Sequence, residues 1–134
     1  MSNRSMPMMK KSLIIIISFV FCSNAFAVSF DDCASHVKKG KEIYQTNCFT
    51  CHGEKGQGKG PAGEYLTPKP RNFSKIGTFT KGTKVQEIFD SITKGLEGTS
   101  MVSYAHLSEP DRKSVTCYVY TSWVKPAVDA AKKK

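Results

Sequence analysis

Two cysteines three positions apart with a histidine directly after the second, Cys48-Phe49-Thr50-Cys51-His52, are the residues in this 134-residue chain best suited to chemistry. Their spacing is that of a C-x-x-C-H run, the covalent attachment site of a c-type haem. Two thiols so spaced can each add to one vinyl group of a porphyrin, and the adjacent imidazole is then placed to ligate the iron. A thioether is a common ligand for the opposite face. Met101, in Gly98-Thr99-Ser100-Met101, is the candidate, because the other four methionines, Met1, Met6, Met8 and Met9, lie at the extreme N-terminus.

Three other readings compete. Zinc could draw on Cys48, Cys51 and His52 with His106 or Cys117, but a histidine directly after the second cysteine points away from a tetrahedron shared with that cysteine. A thioredoxin-like pair needs a strand before the motif and a helix starting at it. Here a helical pattern precedes the motif, and Gly53, Gly56, Gly58 and Gly60 follow it. Coincidence, two structural cysteines beside a surface histidine, does not account for the Met101 segment.

The elements that must position these residues begin after an export signal. Arg4, Lys10 and Lys11 precede an apolar run, Leu13 to Phe21, and Ala25-Phe26-Ala27 has the A-x-A form of a cleavage site. Residues 1–27 are therefore expected to be a cleaved signal peptide, with 28–134 forming one small domain. The apolar run falls well short of the roughly 20 residues that span a bilayer, so no transmembrane anchor is expected after cleavage. Phe21 before Cys22 is too bulky for a lipidation signal. The signal segment holds three of the twenty basic residues and none of the acidic ones, so the net charge falls from +9 to +6. Export and the lack of any block of five like charges argue against nucleic acid as the partner of this basic chain, and Lys132-Lys133-Lys134 is a solvated tail.

Asp31-Asp32, followed by Ala34, Val37, Lys41 and Tyr44, predicts a first helix over Cys33 to Asn47 that delivers Cys48. Gly and Pro density makes 53–70 a loop. Thr83-Lys84-Val85-Gln86 has a capping-box pattern opening a second helix with Val85, Ile88, Phe89 and Ile92 on one face and Gly95 as its stop. Ser108-Glu109-Pro110-Asp111 opens a third, with Val115, Tyr118, Val119 and Ser122 inward and Pro126 at its end. No segment alternates convincingly with period two. The expected class is all-α, with three main helices.

In these features the chain, over nearly all of Val37 to Trp123, resembles the class I cytochromes c, the small bacterial monohaem members in particular. Gly40 to Tyr44 is similar to that family's N-terminal helix, whose glycine permits close crossing by the C-terminal helix. The resemblance implies a small cytochrome c fold around one covalent haem c. It assigns to Pro61, in Gly60-Pro61, the carbonyl that accepts the Nδ1–H of His52, and gives Leu66 a place over the same face. Gly98 to Met101 with Tyr104 is similar to the family's methionine loop. His106 is the rival ligand, and His36 is read as an exposed N-terminal residue. Pro68 to Phe73 resembles a loop of small bacterial members, in which Arg71 pairs with a haem propionate or simply faces solvent. The sequon Asn72-Phe73-Ser74 is discounted for a bacterial periplasmic protein.

An iron held by His52 and Met101 leaves no open coordination site, so the resemblance implies outer-sphere electron transfer rather than catalysis, in a periplasmic and monomeric shuttle. An acidic docking surface on the redox partner would meet Lys55, Lys59, Lys69 or Lys94. A permanent haem subunit of a larger oxidoreductase, and a gas sensor formed by loss of Met101, are the alternatives. Cys33 and Cys117 remain open. An oxidising compartment and an even number of spare thiols favour a disulfide. A crossing at Gly40 instead puts Cys33 about 10 Å away along the helix, beyond the roughly 7 Å that bridged Cα atoms tolerate, and so favours two separate cysteines.

Overall fold

The computed structural model describes residues 28–134, and the expected signal peptide, 1–27, lies outside the described residues. Every regular element among the described residues is helical. Helix α1 (Cys33–Asn47) runs into the short α2 (Phe49–His52), α3 (Val85–Lys94) follows a long irregular segment, and α4 (Glu109–Val119) continues through one π turn (Tyr120–Val124) into α5 (Lys125–Ala131). Single 3₁₀ turns, Gly63–Tyr65 and Ile76–Thr78, punctuate the segment between α2 and α3. No helix of the described residues is long and apolar enough to cross a membrane.

The core is the meeting of α1, α3 and α4, with Ile43, Tyr44, Ile88, Phe89, Ile92, Val115, Tyr118, Val119 and Val124 buried. The inner face of α1 differs from the predicted stripe. Val37, Gly40, Ile43 and Tyr44 face inward, whereas Ala34 and Lys41 are exposed, because the face is centred on Gly40, which periodicity counted over side chains overlooks. A Cβ at Gly40 would sit 2.0 Å from the carbonyl oxygen of Ser114 and 2.7 Å from Tyr118 Cβ, so only glycine lets α1 and α4 approach this closely.

That approach also joins Cys33 to Cys117 in a disulfide, with Cα atoms 5.1 Å apart. Of the two readings left open the bridge is realised, which corrects the distance argument for two separate cysteines. That distance treated the crossing as a point, but helices packed this tightly stay within reach for more than one turn on either side. His36 Nδ1 lies 3.0 Å from Ser114 Oγ and Lys113 Nζ donates to Asp32 at 3.0 Å, so the first turns of α1 lie along α4 without any bend. His36 is thus half-buried and bonded, not a free surface residue.

Helix starts follow the expected chemistry with one shift in register. Ser108 caps α4 by accepting from the Asp111 N–H at 3.2 Å. In α3 the reciprocal bond falls one residue later than predicted, where the Lys84 N–H donates to the Glu87 carboxylate at 2.8 Å. Gly95, at φ 75°, stops α3 as expected. Pro126 does not end the last helix. It lies in the first turn of α5, and the π turn before it accommodates the ring, with Lys125 N–H reaching back five residues to the Tyr120 carbonyl.

Candidate functional site

The C-x-x-C-H segment continues the axis of α1. Cys48 N–H donates to the Tyr44 carbonyl at 2.8 Å and His52 N–H to the Cys48 carbonyl at 2.9 Å. The carbonyls left over at the end of α2 need partners, and the glycine-rich loop supplies them. Ala62 N–H donates to Thr50, Gly60 N–H to Cys51 and Gly58 N–H to His52. The loop thereby wraps the motif instead of linking domains.

Cys48, Cys51 and His52 form one wall of a cavity of about 420 Å³, a size typical of cofactor sites. Leu66, Phe73, Phe79, Ile88, Ile92 and Leu96 contribute apolar walls, and Met101 and Tyr104 also line it. Met101 is held by a loop stapled to the end of α3. Leu96 N–H donates to the Met101 carbonyl at 3.0 Å, Met101 N–H to Thr99 Oγ1 at 3.1 Å, and Tyr104 N–H to the Ile92 carbonyl at 3.0 Å. The Tyr104 hydroxyl then ties this loop to α1 by donating to the Asn47 carbonyl at 2.9 Å. The rival His106 is exposed and does not line the cavity.

The hydrogen bond to His52 corrects the role expected of Pro61. His52 Nδ1 lies 3.3 Å from the Arg71 carbonyl oxygen, while Pro61 is exposed and absent from the cavity wall. After Pro61 the chain passes through the turn at Gly63–Tyr65 and along the cavity wall at Leu66 and Pro68, and it meets His52 Nδ1 at Pro70-Arg71. There Gly58 lets it come close, since a Cβ at Gly58 would lie 2.1 Å from the Pro70 carbonyl oxygen. The Arg71 side chain donates to the Thr78 carbonyl and to Thr80 Oγ1, and lies over the Phe79 ring. It borders the cavity with Lys69 and Lys81, and no carboxylate lines the wall.

Burial pushes the Cys48 thiol up to about 12, reinforced by neighbouring Cys51. Burial lowers His52, and the positive charge of Arg71 acts in the same direction against the hydrogen bond to the Arg71 carbonyl. The site thus favours a protonated Cys48 thiol and a neutral imidazole whose Nδ1–H is engaged, leaving Nε2 as the free lone pair. A redox-active C-x-x-C requires the opposite, a depressed thiol at a helix N-terminus. Cys117, one of the partners a zinc site would need, is spent in the disulfide.

This donor set fits a haem: two free thiols, a neutral imidazole and a thioether around an apolar cavity, with only cations at its border to meet two propionates. Sequence reasoning missed Lys81, Phe73 and Trp123. Phe73 stacks on His52, with ring centroids 4.5 Å apart, and only its place two residues after Arg71 hinted at this.

The cytochrome c family model matches residues 37–123. The chain is similar to the cbb3-type cytochrome c oxidase subunit FixP of Azorhizobium caulinodans, 36% identical over 84 residues, covering 63% of this chain and 26% of that protein. It is also similar to the cbb3-type subunit CcoP of Azospirillum brasilense, 30% identical over 87 residues, covering 65% and 28%. It thus spans about a quarter of the length of these curated relatives. Among solved structures it matches a chain of the reducing HAO-like protein complex Kustc0457/Kustc0458 of Kuenenia stuttgartiensis, with a TM-score of 0.60, 30% identity, and coverage of 72% of this chain and 50% of that one.

Proposed function

The chain belongs to the cytochrome c family, and from that premise we propose that it is a periplasmic electron-transfer protein carrying one haem c. Cys48 and Cys51 would hold the group through two thioethers, and His52 and Met101 would ligate its iron. The observation that carries this reading is that all four side chains line one cavity. Haem bound there would supply a one-electron couple at iron, and with His52 and Met101 both as ligands that couple would work without binding substrate. The chain does the rest. The Arg71 carbonyl fixes the His52 tautomer, and the guanidinium would meet a propionate. Leu66, Ile88, Ile92 and Leu96 exclude water, which with the thioether favours the reduced state. Lys69 and Lys81, which line the cavity as the exposed Val102 does, form the docking face for an acidic partner.

Intact-mass measurement of the exported protein tests the attachment. The expected product starts at Val28 and retains one haem after acid and denaturant. A chain that loses the haem under those conditions overturns the proposal.

A second reading has a specific observation behind it. The relatives named above are subunits of oxidase and HAO-like complexes, so the domain would serve as a haem subunit held permanently in a larger assembly. A purified chain that is monomeric and soluble supports the shuttle, and one that co-purifies stoichiometrically with a partner supports the subunit.

A further inference from the structure

His52 is constrained from two directions that differ in what they fix. The hydrogen bond from Nδ1 to the Arg71 carbonyl sets the direction of the N–H bond and presses on no face of the ring. The second constraint is a stack. The Phe73 ring lies against the imidazole with centroids 4.5 Å apart and planes 20° from parallel. Behind Phe73 stands Trp123, again nearly parallel, at 5.7 Å and 28°. Trp123 is itself wedged between Tyr44 at 5.2 Å and Tyr118 at 5.1 Å.

Each member of this stack is placed by a distinct backbone device. Phe73 N–H donates to the Gly56 carbonyl at 2.9 Å, and a Cβ at Gly56 would lie 2.7 Å from Phe73 and 3.0 Å from Trp123, so the loop leaves room for both rings. Tyr118 and Trp123 are five residues apart. In an uninterrupted α-helix that spacing places them well around the cylinder from each other. The π turn at Tyr120–Val124 adds one residue to the turn and brings the indole back over Tyr118 and onto Phe73.

We infer that Phe73 and Trp123 are positioning residues that set the plane of the His52 ring, Phe73 directly and Trp123 through Phe73. The inference rests on the reading of His52 as a haem ligand. Partners of a ligating imidazole control its orientation and basicity, and the ring plane governs how unpaired spin is distributed over a haem macrocycle. That distribution is read independently of any electron-transfer rate, as the pattern of shifted haem methyl proton resonances in the oxidised protein.

The test compares the haem-loaded parent with F73L, F73Y and W123L. Phe73→Leu keeps an apolar side chain but removes the flat ring, and is expected to change the order or spread of the methyl resonances. Phe73→Tyr keeps the ring and should reproduce the parental pattern. Trp123→Leu should shift the pattern in the same sense by less. A pattern in F73L that superimposes on the parent overturns the inference, since a merely structural role for Phe73 would alter thermal stability and leave the resonances in place. If F73L fails to accumulate with haem, W123L carries the test, and an unshifted W123L overturns it. A parent that carries no covalent haem overturns the underlying haem reading, an outcome distinct from a haem-loaded parent with unresponsive variants.

Discussion

Met101 has no understudy. The other methionines lie within the first nine residues, and His106 is exposed outside the cavity. Replacing Met101 by Ala should therefore leave the sixth iron position open. The variant is expected to bind carbon monoxide when reduced and to lose the thioether-to-iron charge-transfer band when oxidised. Absence of that band from the parent, or its retention in the variant, would exclude Met101 as the ligand, and in the first case His106→Ala in parallel tests the rival. Arg71 divides into two chemistries. Its carbonyl acts on His52 whatever the side chain is, so Arg71→Leu should spare haem attachment while moving the midpoint potential through loss of a cation beside a propionate. An unchanged potential would leave Arg71 as a loop-bracing residue bonded to Thr78 and Thr80. Covalent motifs and unique residues were the legible part of the site, since Cys48, Cys51, His52 and Met101 are all singled out by spacing or by count. The carbonyl partner was not, because a backbone acceptor has no sequence identity. The family resemblance points to Pro61 through Gly60-Pro61, whereas the loop delivers the Arg71 carbonyl from nineteen residues beyond His52.

At the scale of elements, α1 and α4 form the frame, and three devices of different strength hold them together. The disulfide closes 84 residues of chain. Its loss should cost about 2–5 kcal/mol, chiefly by freeing the unfolded chain. Denaturant unfolding of the haem protein with and without prior reduction reads this directly, and alkylation of the unfolded, unreduced protein should label neither Cys33 nor Cys117. Gly40 is the second device. With a Ser114 carbonyl 2.0 Å from any added Cβ, Gly40→Val must separate the helices and is expected to destabilise by several kcal/mol, in the range of other overpacked or strained core substitutions. The third device is the pair Asp32–Lys113, which also explains a pH dependence. The Lys113 hydrogen bond, followed by that of Ser35, holds the Asp32 carboxyl below the usual carboxylate range. Such a group adds stability that is complete above its unfolded pKa of about 3.9, and that is lost as pH falls through its depressed folded value. Lys113→Met should therefore lower the unfolding midpoint at pH 7 by a small amount, given how exposed Asp32 is, and the gap to the parent should close in acid. Helix α1 was predicted with the boundaries it has, because acidic residues, an apolar spacing and the motif itself delimit it. The continuation past Pro126 was not legible, since a proline inside a helical pattern ordinarily ends it, and the π turn that absorbs the ring has no marker in residue type.

For the whole molecule the charge is the informative quantity. Removal of the expected signal segment leaves +6, and the charged residues bordering the cavity are Lys69, Arg71 and Lys81, with no carboxylate among them. An electron passes most readily where the cofactor lies nearest the surface, so a partner docking over this border meets a rim that carries three cations, with the exposed Val102 lining the same cavity. Long-range attraction between such a rim and an acidic surface raises the association rate and is screened by salt. As ionic strength rises from 0.1 M to 1 M, the Debye length falls from about 10 Å to about 3 Å, and the second-order rate of electron transfer to the natural partner should fall steeply over that range. Lys69→Glu with Lys81→Glu should slow the reaction at low salt and flatten the dependence, whereas the same reversal at Lys55 and Lys59, which border a separate shallow groove behind His52, should change it less. Stopped-flow rates of the two double variants and the parent across that salt range decide the matter. Rates that ignore ionic strength in the parent would point to an apolar, permanently occupied dock, and would move the assignment from a diffusing shuttle to a fixed haem subunit.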